Sequence, residues 1–417
     1  MTKSDSLSIP NAERKPGKQV IALTVLLLVL CQSQQVLASG GISLFLPLIR
    51  RDVGLDFTQG GTLAAASTLV YAFMQIPAGY LADRFGARRL FLVGLIGTSV
   101  LSLSFALLHV YWLLVINQAI SGFFRALMFA PGLLLINALF PPNRRAMAMG
   151  LYVAGGSSSN VLLSVFGPLL VETLGWRLLF VLFSLMGLLV TLLYWRFGYS
   201  GVGTAPGNPR PLRDLLSLFR YRAMWLIGSI QYVRLAVALG LQFWLPTFVV
   251  VEKGYSLQVA GLVVALGAAL TVPSNFLGGY LSDRLRNPLL IIGTALAMLA
   301  LTSILLVRVE NLVLLLCVCA LNGLFVQLYF GPLFNVPIEM LGPELAGLAS
   351  GFGNFFANLG ALTFTYTLGA LKDATGSFDV GLYSIAGLCL CALVCTLLLA
   401  RMKPLTRAEA ATIRELP

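Results

Sequence analysis

Charge is scarce in this chain: Asp, Glu, Lys and Arg together make up 11% of its 417 residues, against about 25% in soluble domains. With 58% of the residues hydrophobic, so little charge cannot hold a folded surface in water, and the expected solvent is lipid. Histidine is scarcer still. The only one, His109, leaves no His-Asp or His-Cys constellation for acid–base or nucleophilic catalysis. No Gly-rich phosphate loop follows a strand pattern. The six cysteines all fall inside apolar runs, and Cys389, Cys391 and Cys395 have no His or carboxylate beside them in sequence; they are read as small hydrophobes. The chain is therefore not expected to be an enzyme, and no metal or other cofactor is expected. No cleavable signal is expected: residues 1–18 are polar, and the first apolar run outlasts a signal core.

What the chain has is apolar runs, and its basic residues are distributed unevenly between them. The net charge of +12 suggests nucleic acid only until the positions are read. If residue 1 is cytoplasmic, twenty of the 28 Lys and Arg fall in segments on that side, six on the other and two within spans. That bias is the positive-inside signature and places both termini in the cytoplasm. Nucleic acid is not an expected partner. At about 20 residues per spanning helix, a dozen spans fit. They are expected near 19–49, 57–81, 89–109, 111–139, 146–172 and 176–197, then 222–251, 256–281, 288–307, 311–338, 345–371 and 379–400. Residues 1–18 read as a disordered cytoplasmic N-terminus and 401–417 as a cytoplasmic tail. The Gly- and Pro-rich, then basic, stretch 198–221 reads as a cytoplasmic linker between two near-equal halves of six spans each, 19–197 and 222–400.

The two halves repeat each other. Residues 79–89 read Gly-Tyr-Leu-Ala-Asp-Arg-Phe-Gly-Ala-Arg-Arg, and 279–286 read Gly-Tyr-Leu-Ser-Asp-Arg-Leu-Arg, with Asp83 and Asp283 200 residues apart. Phe129-Ala130-Pro131 recurs as Phe330-Gly331-Pro332. A duplicated charged hairpin between apolar runs indicates an internally repeated membrane protein. The first copy, with Gly79, Asp83, Arg84, Gly86, Arg88 and Arg89, resembles the loop between helices 2 and 3 of the major facilitator superfamily. The second copy keeps Asp283 and Arg284 but has Arg286 at the second glycine, which puts its tight turn in question. The resemblance covers nearly the whole chain. It implies an all-α membrane fold of twelve transmembrane helices in two six-helix bundles, alternating access, a hairpin that acts as a conformational latch, and a central cavity lined by spans 1, 4, 7 and 10.

Three charges remain after the loops and helix ends are filled: Arg125 in span 4, Arg234 in span 7 and Glu339 in span 10. Arg125 lies about 21 Å from one end of its span and Arg234 about 18 Å from the other, both near the middle of a core of about 30 Å. An arginine there costs roughly 2.5–3.5 kcal/mol and marks a water-filled cavity or a partner. The two are expected to face that cavity from opposite bundles and to take a small anionic substrate, whose oxygens match the guanidinium fork. Gln34 and Gln35, at the repeat counterpart of Arg234, and Tyr232, Gln327, Asn354 and Asn358 are candidate hydrogen-bonding neighbours; helix packing is the competing reading for each. The same holds for Asn160 in the small-residue run Gly155-Gly156-Ser157-Ser158-Ser159-Asn160. Glu339 falls at the cytoplasmic end of span 10 and is the candidate for proton coupling.

With so few titratable groups along the path, anion exchange or proton transfer on the substrate itself is the favoured mode. A proton-coupled multidrug or metabolite efflux antiporter of the same fold, and a transporter-like solute sensor, are the alternatives. The chain is expected to work as a monomer in a bacterial inner membrane. If the hairpin is a latch, Asp83→Asn slows turnover more than it weakens substrate binding. A large loss of affinity at unchanged turnover, measured side by side, refutes the latch.

Overall fold

The computed structural model describes residues 17–141, 145–199, 221–341 and 346–402. The terminal segments and most of the 198–221 linker lie outside the described residues, as do the side chains of Asp83 and Glu339 and the surroundings of Gly79. The described residues are overwhelmingly helical, with no strand among them. The first bundle comprises α1 (Lys18–Val53), α2 (Phe57–Phe85), α3 (Ala87–Leu107), α4 (Tyr111–Ala138), α5 (145–174) and α6 (176–197). The last two form one run, Arg145–Phe197, broken at Gly175, whose φ of 73° is left-handed. The second bundle comprises α7 (222–252), α8 (Leu257–Leu285), α9 (Pro288–Arg308), α10 (312–341), α11 (Ala346–Thr375) and α12 (Asp379–Ala400). α10 breaks at Tyr329, just before Phe330-Gly331-Pro332. α7 contains two π-helical stretches, Ala236–Leu241 and Phe248–Glu252.

The helix ends follow from local chemistry. Gly54 caps α1 in the left-handed region at φ 75°, and Asp56 begins α2 with a reciprocal capping box to Gln59. The duplicated hairpins are tighter than expected. Asp83 and Arg84 belong to the last turn of α2, Asp283 and Arg284 to the last turn of α8, and the first connection is Gly86 alone at φ 87°. Arg88 donates from Nη2 to the carbonyls of Trp195 at 2.8 Å and Gly198 at 3.2 Å, tying the hairpin to the end of α6. Arg84, Arg89, Asp283 and Arg284 are exposed. Arg286 keeps the second turn by adopting φ 48°, alone among described non-glycine residues in having a positive φ. The tight turn therefore survives without its glycine.

Among the described residues, nine segments are long and apolar enough to cross a membrane, with most of α5 and α6 counted as one. Their outward faces are apolar, as in Trp112 at 67% and Val313 at 68% exposure, which is the surface that lipid covers. The chain is a multi-pass membrane protein. α2 and α11 are not among the nine, although they run 29 and 30 residues. They pack on each other across the bundles through small residues, which lowers their hydropathy and lets the backbones close in.

The bundles meet at the end that carries the α1–α2 and α7–α8 turns, called here the closed end. A Cβ on Gly61 of α2 would lie 2.8 Å from the Thr365 carbonyl oxygen of α11. A Cβ on Gly261 of α8 would lie 2.1 Å from the Ser164 carbonyl oxygen of α5. Ser43 of α1 donates to the Phe243 carbonyl of α7 at 2.7 Å. Each bundle is also braced internally at this end, by Arg177–Asp52 at 2.8 Å and by Lys372–Glu252 at 2.5 Å. Burial pushes the Glu252 carboxyl up, but hydrogen bonds from Lys372 and Ser377 outweigh it and hold the group below the ordinary carboxylate range. Arg286→Gly is expected to raise stability by about 1 kcal/mol by relieving the left-handed backbone. Thermal unfolding in a fixed detergent checks this, and no gain would mean that the turn is unstrained.

Candidate functional site

Arg125 is positioned by a close helix crossing. A Cβ at Gly122 of α4 would come 2.2 Å from the Ser67 carbonyl oxygen of α2, so only glycine lets these two backbones approach this way. Three residues on, Arg125 Nη1 donates to Ser67 Oγ at 3.1 Å, and the guanidinium carbon sits 5.5 Å from the centroid of the Tyr71 ring. That ring is within range for a cation–π contact. Arg125 Nε is buried without a hydrogen-bond partner, a costly state for a charged donor. Among the described residues no carboxylate lies within ion-pair range of Arg125.

The guanidinium stands where two chambers join. A small one is lined by Gln35, Gln118, Ser121 and Arg125. The next, about 220 Å³, is lined by Arg125, Gln118, Ser67, Asn160 and Ser164 from the first bundle and by Gln242 and Thr365 from the second. Asn160 and Gln242 also line a third chamber of about 400 Å³, with Gln32, Asn322, Gln327 and Phe330. Through shared lining residues the three make one space, its first part inside the first bundle and the other two between the bundles, below the closed end. Its described wall is amides, hydroxyls and apolar groups around one cation.

Of the residues expected in the site, Arg125, Gln35 and Gln327 line this space. Arg234 does not line it. It is buried at 6% exposure, donates from Nε to Gln231 Oε1 at 2.8 Å, and stacks 5.0 Å from the ring centroid of Phe330, which does. The picture of two guanidiniums facing each other through water is therefore corrected to one on the wall and one packed against a wall residue. Gln34 turns to α6 and donates to the Phe183 carbonyl. Tyr232 bonds Thr363 of α11 at 2.6 Å. Asn358 donates to the Asn354 carbonyl at 2.8 Å, Asn354 is exposed, and neither lines the chambers.

Gln118, Gln242 and Asn322 were not anticipated. Gln118 had a signal: it precedes Arg125 by seven residues, two helical turns along the same face. Gln242 had none, because it directly follows the π-helical stretch Ala236–Leu241. Wider turns change which residues face the cavity, and such bulges recur at functional sites.

A family model described as the Major Facilitator Superfamily matches residues 28–365. The chain is 29% identical to "Probable nitrate/nitrite antiporter NarK1" of Thermus thermophilus, over 57% of this chain and 55% of that protein. It is 25% identical to "Probable sulfoacetate transporter SauU" of Cupriavidus necator, over 81% of this chain and 84% of that one. Among solved structures, a bacterial homolog of the human lysosomal transporter Spinster, in an inward-facing and occupied conformation, superposes with a TM-score of 0.81. It shares 18% identity, covering 93% of this chain and 98% of that one, so the likeness concerns the fold.

Arg125→Gln keeps a polar side chain but removes the charge. Nitrate is expected to raise the unfolding temperature of the unaltered chain, and the variant is expected to fold and to lose that gain. Undiminished stabilisation would take Arg125 out of the site.

Proposed function

The chain belongs to the Major Facilitator Superfamily, and we propose that it is a secondary transporter that moves a small anion across the membrane by alternating access. The observation that carries this reading is Arg125: a guanidinium within a spanning helix, on a cavity wall shared by both bundles, with no carboxylate in ion-pair range among the described residues. A bound carboxylate, nitrate or sulfonate supplies the missing charge and accepts the free N–H groups. Gln35 and Gln118 beside it, and Asn160 and Gln242 across the cavity, orient the rest of the ligand. Arg234, stacked on Phe330, adds positive potential from inside the second bundle without touching the ligand. The names of the nitrate/nitrite and sulfoacetate relatives support an anion as cargo.

Anion exchange is the proposed mode, since none of the described residues lining the three chambers is a carboxylate or histidine. Glu339 is the place to look for proton coupling should exchange fail. The basic bias of the hairpin side supports a cytoplasmic position for it and both termini; on that orientation the closed end faces outward and the cavity is reached from inside the cell, in a bacterial inner membrane. A single chain contains both bundles and the whole cavity, and we propose that it works as a monomer.

In proteoliposomes, preloading with unlabelled anion is expected to accelerate uptake of the labelled one. Uptake that ignores the preload but follows an imposed pH gradient would replace exchange with proton coupling. No uptake of any small anion would overturn the reading.

A further inference from the structure

The contacts that shut the closed end obey the sequence repeat. Asp373, in the last turn of α11, accepts hydrogen bonds from the backbone N–H of Phe57 at 3.1 Å and of Thr58 at 2.5 Å, and from Thr58 Oγ1 at 2.5 Å, all in the first turn of α2. Glu172, at the end of α5, accepts from Gln258 Nε2, in the first turn of α8. Both bonds run between bundles, in opposite senses. Glu172 and Asp373 are 201 residues apart, as Phe129 and Phe330 are, and Thr58 and Gln258 are 200 apart, as the hairpin aspartates are. The glycine crossings share the geometry: Thr58 and Gln258 each lie three residues before their crossing glycine, Gly61 and Gly261. Asp373 and Glu172 each lie eight residues after the carbonyl that the glycine meets, Thr365 and Ser164. Each crossing thus carries a carboxylate clasp two turns farther out.

We propose that Asp373 and Glu172 are paired clasps that hold the two bundles together at this end, and that their release is the step that opens the carrier on that side. The proposal rests on the alternating-access reading and adds the residues that set its balance. An α-helix leaves its first N–H groups without intrahelical partners. α2 satisfies one with its own Asp56, at 2.6 Å to the Gln59 N–H. Asp373 takes the N–H groups of Phe57 and Thr58, so the start of α2 is completed by the opposite bundle, and its negative charge meets the positive end of the helix dipole. When the bundles part, water replaces the carboxylate on these groups. Both clasps lie at the solvent-exposed rim, where such bonds are weak enough to exchange for water during a transport cycle. The packing of buried Trp244 and Phe378 against half-buried Phe57 lies beside the α2 clasp. The glycine crossings set how close the bundles come; the clasps set how long they stay.

The test is a distance. Spin labels at His109→Cys and Glu310→Cys, exposed sites in the α3–α4 and α9–α10 connections of opposite bundles, read the separation at this end in a chain whose exposed Cys317 and Cys391 are replaced by Ser. Asp373→Ala and Glu172→Ala are each expected to raise the ratio of long to short distances about fivefold, and the double variant by about the product of the two. Gln258→Ala should reproduce Glu172→Ala, and combining those two should add nothing further. Should Asp373→Ala not fold, the Glu172–Gln258 cycle still decides. An unchanged distance distribution in folded variants overturns the proposal, including where the unfolding temperature falls, since that alone marks a structural contact. Counterflow by the unaltered chain tests transport separately, so failure of one reading is distinguishable from failure of the other.

Discussion

A guanidinium halfway through a hydrocarbon slab has to be hydrated, paired or answered by a ligand. Arg125 has a serine hydroxyl, the face of a tyrosine ring and a cavity. The rest of the chain arranges that environment. Gly122 brings α4 onto α2 so that Ser67 and Tyr71 lie beside the arginine. The π-helical stretch in α7 precedes Gln242 on the opposite wall. The closed end covers the space above. In a low-dielectric interior one uncompensated charge outweighs many neutral contacts, so on the proposed reading the amide-lined cavity selects for sign before it selects for shape.

Internal duplication is the second constraint, and it reaches atomic contacts. The same offsets relate the hairpins, the proline-bearing turns of α4 and α10, the glycine crossings and the carboxylates beyond them. The two copies have nevertheless diverged within that frame. At one crossing Asp373 binds main-chain N–H groups and a threonine; at the other Glu172 binds a glutamine side chain. The hairpins differ likewise: Gly86 turns one at φ 87° and ψ 132°, whereas Arg286 turns the other in the left-handed helical region at φ 48° and ψ 34°.

Much of this was legible in the sequence for a physical reason: lipid penalises every misplaced charge, so the spans, the hairpins and Arg125 stand out against an apolar background. Arg234 was legible as buried but not as set back from the cavity, because its partners come from Gln231 one turn away and from Phe330 on α10. Neutral amides were less readable. Gln34 and Gln35 are adjacent, yet the first bonds a backbone carbonyl of α6 while the second lines a chamber beside Arg125. A one-residue step on a helix turns a side chain by about 100°, and composition does not say which of the two faces the cavity. Arg286 shows the converse: a missing glycine does not abolish a turn when a larger residue tolerates the strain.

The pairing of α2 with α11 has a bearing on how the chain is made. Each has its small-residue face matched by the other, and some 300 residues of chain separate their first turns. During synthesis the face of α2 that packs on α11 lacks that partner until α11 emerges. Biogenesis of this protein stays incomplete until its second-to-last helix is delivered.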